Sequence, residues 1–175
     1  DVSVLPARDL TELDGPDFSK TFNKPYWFGP NSQLFEIPMT VGLVGALASV
    51  GTDLYHTISN QRFHSIHVPG VFARLGLLER ITLTPEGVSL AEMKRLTRKM
   101  IAAGHRIFTL TYHSPSLVPG NTPYVRNEAE LRGFIACLEA YLDFFFGELG
   151  GIAMDVTEVR DLARGDSKSR LSHSS

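Results

Sequence analysis

His113 ends an apolar run, Ile107-Phe108-Thr109-Leu110-Thr111-Tyr112, and is followed by Ser114-Pro115, which restricts the direction the chain takes. In parallel α/β folds the reactive groups gather at the carboxyl ends of strands. An imidazole at such a place, titrating near neutrality, reads as a general acid or base. The other reading is a histidine satisfied by a nearby carbonyl. Tyr112 alternates sides with His113, so one faces the sheet and the other the loop-lined end. Glu36 sits inside Leu34-Phe35-Glu36-Ile37-Pro38-Met39-Thr40. A carboxylate among apolar neighbours is costly unless paired. It is either a structural partner of Arg80, Arg126 or backbone amides, or a pocket group. Tyr26-Trp27-Phe28 interrupts a polar loop with three aromatics, which either pin the loop to the core or offer a stacking face to a sugar ring. His64-x-x-His67 has no third ligand near it, so no metal ligand is assigned in this chain. No Gly-rich phosphate loop follows a strand, and no Gly-x-Ser-x-Gly elbow is present.

The elements that would position these residues are legible in the pattern. Residues 6–33 are punctuated by Pro and Gly and read as loop. Strands are expected at 34–40, 80–84 and 107–112, and a helix at 46–62. Ser89-Leu90-Ala91-Glu92 is a capping box that opens a helix. Leu90, Met93, Leu96, Met100 and Ile101 make its apolar face, and Gly104 its stop. Lys94, Arg95, Arg98 and Lys99 lie off that face and read as a solvated surface. Asn127 to Glu130 opens a second helix, with Leu131, Phe134, Ile135, Leu138, Tyr141, Leu142 and Phe145 as a wide apolar stripe. A short helix at about 158–164, capped by Thr157, precedes a polar flexible tail, 165–175. Strands alternating with amphipathic helices predict an α/β fold of parallel βαβ units. A closed (β/α) barrel typically takes about 250 residues, so residues 1–164 form either a small open sheet or part of a barrel.

The 175 residues carry 17 Lys and Arg against 19 Asp and Glu, a formal charge of −2. That balance argues against a nucleic-acid binder, which normally shows a basic excess. With 43% apolar and 21% charged residues the composition is that of an ordinary globular domain. The single cysteine, Cys137, excludes an internal disulfide framework and a Cys-rich zinc site. No apolar run reaches the roughly 18 residues of a membrane span. The chain opens on Asp1-Val2-Ser3-Val4-Leu5-Pro6 without Met, which reads as a piece of something longer.

The stretch Leu110-Thr111-Tyr112-His113-Ser114-Pro115-Ser116-Leu117-Val118-Pro119-Gly120-Asn121-Thr122-Pro123-Tyr124-Val125-Arg126 resembles the C-terminal motif region of polysaccharide deacetylase-like proteins. The branch it is most similar to is associated with bacterial lipopolysaccharide and exopolysaccharide synthesis. Residues 1–6, 15–18 and 34–40 add to the likeness, as does the helix ending Phe145-Phe146-Gly147-Glu148-Leu149-Gly150-Gly151. The resemblance implies part of a distorted (β/α) barrel, with parallel strands and outer amphipathic helices, that holds a divalent metal, commonly zinc. In that family an Asp-Asp motif and a His-x-x-x-His motif early in the chain supply ligands and base, and a late histidine protonates the departing amine. His113 matches that histidine by position, whereas the early motifs and an Arg-x-Pro-Tyr element are absent here. The resemblance therefore implies the C-terminal half of a metal-dependent sugar N-deacetylase. The ligands would lie upstream, and a missing N-terminal half or another subunit would complete the site. This segment by itself would then be inactive.

On that reading His113 is the general acid, and Glu36, Trp27, Tyr112 and Arg126 are the candidate substrate-binding residues for a carbohydrate, in a cytoplasmic protein. The competing reading is a non-catalytic carbohydrate-binding or scaffolding α/β domain that lacks the metal site.

Overall fold

In a computed structural model of the chain, the described residues are 23–45 and 79–172, with side chains to Gly165. The expected helix at 46–62, the His64-x-x-His67 pair and the N-terminal matches at 1–6 and 15–18 lie outside them. Strands β1 (Tyr26–Phe28) and β2 (Leu34–Glu36) pair antiparallel, with Trp27 opposite Phe35. Strands β3 (Val41–Val44) and β4 (Glu79–Thr82) form a second antiparallel pair, with Val41 opposite Thr82. Both sheets are two-stranded, so the parallel pairing expected from the alternation does not occur among the described strands.

The 107–112 stretch, expected as a strand, has no regular secondary structure and belongs to neither sheet. Side chains take over part of its bonding. The Thr109 amide donates to the Thr40 hydroxyl at 2.7 Å, and the Thr109 hydroxyl donates to the Pro38 carbonyl at 3.1 Å. Pro38 has no amide to give in return. One backbone bond, from the Thr111 amide to the Leu83 carbonyl at 3.1 Å, ties the stretch to the end of β4. The expected 34–40 strand is likewise short, ending at Glu36, two residues before Pro38.

Helix α1 (Leu90–Ala102) follows its sequence signals closely. The Ser89 hydroxyl accepts from the Glu92 amide while the Glu92 carboxylate accepts from the Ser89 amide. At the other end Gly104 takes φ 86°, its amide donates to the Ile101 carbonyl, and the His105 amide donates to that of Met100. These two bonds are the paired closure of a Schellman motif. Met93, Leu96 and Met100 are buried and pack with Val44, Ile81, Leu83, Tyr141 and Phe144 as the core. Gly42 lets α1 come close, since a Cβ there would stand 2.7 Å from Leu96 Cδ1.

Helix α2 (Glu128–Leu142) starts on Asn127, whose side chain accepts from the Glu130 amide, and continues into a π turn over Asp143–Glu148. The Tyr141 hydroxyl meets the Thr97 hydroxyl at 2.8 Å, which joins α2 to α1 inside the core. The basic residues of α1 do more than face solvent. Lys94 and Arg98 lie 4.7 and 4.8 Å from the Phe144 ring centre and pair with Glu148. Helix α3 (Val156–Ser172) begins two residues earlier than expected, and Asp155 caps it in place of Thr157, accepting from the Thr157 and Glu158 amides. Its backbone remains helical to Ser172, across much of the stretch expected as a tail. No described helix is long and apolar enough to cross a membrane.

Candidate functional site

The pleat of β4 sets up the site. Ile81 and Leu83 turn into the core, whereas Arg80, Thr82, Thr84 and Glu86 line a cleft of about 390 Å³. The end of the 107–112 stretch supplies the opposite border, with Thr111, Tyr112 and His113. Tyr124 closes the rim, packed against Gly87, where a Cβ would stand 3.7 Å from its ring. Gly87 has φ 74°, a conformation that suits glycine and turns the chain out of the cleft.

At the head of the cleft Glu86 holds His113. The ring Nδ1 lies 2.7 Å from Glu86 Oε2, and the His113 amide donates to Oε1 at 3.1 Å. The Ser116 hydroxyl also donates to Oε1 and meets the Thr122 hydroxyl at 2.9 Å. The Glu86 side chain is 5% exposed and that of His113 74%. Burial pushes the Glu86 carboxyl up, but hydrogen bonds from Ser116 and from the His113 ring and amide outweigh it and hold the group below its ordinary value. Glu86 is thus an ionised, acceptor-only carboxylate at neutral pH, so Nδ1 must carry a hydrogen. Nε2 is left as the ring nitrogen available to a ligand.

This is the geometry of a proton-transfer histidine positioned by a buried carboxylate. It is not a nucleophilic triad. A serine nucleophile must meet the imidazole, and Ser116 is fully buried with its hydroxyl on the carboxylate. His113 caps a one-turn 3₁₀ helix, Ser114–Leu117, which carries Ser116 back under Glu86. The Ser-Pro sequence after His113 therefore places a second Glu86 ligand as well as directing the chain.

The structure brings His113 and Tyr112 together in the cleft and leaves Glu36, Trp27 and Arg126 outside it. Glu36 pairs across the ladder with Tyr26, whose hydroxyl is pushed up by burial and by the Glu36 charge. Trp27 packs on Phe35 at 4.7 Å, with the Arg164 guanidinium 5.1 Å from its ring centre. Arg126 is committed to Glu130 one helical turn on, and is not a partner of Glu36. Tyr112 packs edge-on against Phe134 and stays 39% exposed.

Glu86 and Tyr124 were not picked out from the sequence. Pro85-Glu86-Gly87 reads as a strand stop, yet the period of two that runs through Arg80, Thr82 and Thr84 continues to Glu86 and was the available signal. Among the described residues no group of three or more His, Cys, Asp or Glu side chains could hold a metal ion. Compared with known proteins, the chain matches no family model, no curated relative and no solved structure.

Proposed function

We propose that this chain is the general-acid part of an enzyme that hydrolyses the acetamide of an N-acetyl sugar in a bacterial surface polysaccharide or its lipid-linked precursor. The observation that carries the reading is the Glu86–His113 pair at the head of a hydroxyl-lined cleft. In amide hydrolysis water adds its oxygen to the acyl carbon, the carbon–nitrogen bond breaks, and the nitrogen must gain a proton to leave as an amine. A doubly protonated His113, steadied on Glu86 through Nδ1, presents Nε2–H for that proton. Glu86 is a positioning residue and does not touch the substrate.

The reading includes a divalent metal, zinc by resemblance. The described residues do not fit such an ion. Its ligands, and the rest of a distorted (β/α) barrel, would come from an upstream segment or another subunit, in the cytoplasm. The test is acetate release from N-acetylated oligosaccharides by the natural gene product that contains this chain. His113→Ala should lower turnover by about 10²- to 10⁴-fold, while the protein stays folded at some cost in unfolding midpoint, because Glu86 loses one of its three donors. An unchanged rate in that variant would overturn the assignment.

A further inference from the structure

Arg80 is the one permanent cation lining the cleft among the described residues, and it has no ion pair or hydrogen bond there. Other cations on the same framework are engaged. Arg95 pairs with Glu79, Lys94 and Arg98 with Glu148, and Arg126 with Glu130. Position in the strand explains the difference. Glu79 is the odd-numbered neighbour, turned toward α1, where Arg95 meets it. Arg80 projects on the even face with Thr82, Thr84 and Glu86.

The cleft's carboxylate is not available to Arg80. Both Glu86 oxygens are taken by the Ser116 hydroxyl and by the ring and amide of His113. With both oxygens occupied, the Arg80 guanidinium is left without a hydrogen-bonding partner among the described residues, on a wall of hydroxyls and phenols. A guanidinium so placed matches a carboxylate or phosphate, which it can bind through two parallel hydrogen bonds. Tyr124, 47% exposed and backed by Gly87, supplies a flat apolar face beside it. The cleft volume, about 390 Å³, falls in the usual range for small-ligand sites.

We propose that the cleft selects an acidic sugar, with Arg80 recognising its carboxylate or phosphate and Tyr124 carrying the face of the ring. That the ligand is a sugar rests on the deacetylase reading; that it is anionic rests on Arg80 alone. The shared chemistry is a hexose with a negative group within reach of β4.

The experiment is calorimetric binding to the protein of methyl glucuronide, glucose 1-phosphate and neutral methyl glucoside, with wild type, Arg80→Gln, Arg80→Lys and, as control, the exposed α2 variant Arg132→Gln. At low salt the wild type should bind at least one acidic sugar about tenfold more tightly than the neutral one, and added salt should shrink the margin. Arg80→Gln should erase the preference, Arg80→Lys keep part of it, and Arg132→Gln leave it intact. The tighter of the two acidic sugars identifies carboxylate or phosphate as the group. Equal binding of charged and neutral sugars, binding of none, or a preference that survives Arg80→Gln would overturn the proposal. The reaction assignment fails separately, on acetate release that does not depend on His113. A persisting acidic preference in that case would still support the Arg80 subsite.

Discussion

Glu86 grips His113 twice, its Oε1 accepting the backbone amide at 3.1 Å and its Oε2 lying 2.7 Å from ring Nδ1, across 27 positions of sequence. Two anchors on one residue fix both the path of the chain and the orientation of the ring. A single side-chain contact would leave the imidazole free to turn about its χ angles. The carboxylate is itself held by Ser116, so the pair is rigid from beneath and open from above.

That arrangement predicts the behaviour of Glu86→Gln. The glutamine oxygen can still accept the two bonds that Oε1 takes from Ser116 and the His113 amide, but an NH₂ in place of Oε2 would face the His113 ring and cannot accept from it. Stability should fall by about 1–3 kcal/mol at neutral pH, and acetate release should fall with no matching change in sugar affinity. The pH dependence has a definite sign. Glu86 is held below its ordinary value in the folded state. Its contribution is therefore complete above about pH 4.3, the unfolded value, and is lost as pH falls through the folded value. Denaturant titrations across the acid range should show this slope in wild type and a weaker one in the variant. Identical slopes would remove Glu86 from the account.

His105 should contribute a second acid sensitivity. It is buried at the C-terminal closure of α1, its Nε2 lies 3.3 Å from the Asn23 side-chain nitrogen, and burial, aided by the Lys24 charge, holds its imidazolium form down. The unfolded chain takes up this proton more readily than the folded one. Stability should therefore rise with pH up to about 6.5, the unfolded value, and fall on acidification below it. His105→Gln should flatten that part of the profile, measured as the unfolding midpoint against pH.

Tyr141→Phe tests the link between the two helices. The Thr97 hydroxyl donates to the Met93 carbonyl at 2.9 Å and so receives the Tyr141 proton at 2.8 Å. Deleting the phenol oxygen should cost about 0.5–1.5 kcal/mol. The same change in a Thr97→Val background should cost less, because the partner is already gone. Chemical denaturation of the four proteins measures the coupling directly.

Gly42 sits where α1 crosses β3. A branched side chain there would run into Leu96, which is fully buried and cannot swing aside into solvent. Gly42→Val should destabilise by about 1–3 kcal/mol, and adding Leu96→Ala should recover part of the loss. Additive losses in the double variant would mean that the two residues do not collide.

Local signals in the chain determined α1 and the start of α2. The Ser89–Glu92 box, the Gly104 stop and the Asn127 cap act within one turn, and they formed where the pattern put them. Tyr112 and His113 are adjacent in the sequence, and their shared place at the cleft follows from that. What the sequence could not decide was partnership across space. Whether two extended segments pair parallel or antiparallel depends on how the chain between them folds back, and the two described pairs are antiparallel. The Thr109 side-chain bonds that displace a regular ladder from 107–112 need Thr40 and Pro38, about 70 residues away, to arrive at the same place. Arg126 and Glu36 each bear a charge that invites the other, yet local geometry gave Arg126 to Glu130, one helical turn on. Glu86 was hidden by the opposite effect. Its neighbours Pro85 and Gly87 advertise a turn, and only the packed structure shows that the turn delivers a buried carboxylate to a histidine 27 residues on. Caps and periodicity are properties of a few adjacent residues. A carboxylate held against an imidazole in a cleft depends on where distant segments meet, and only the tertiary structure settles that.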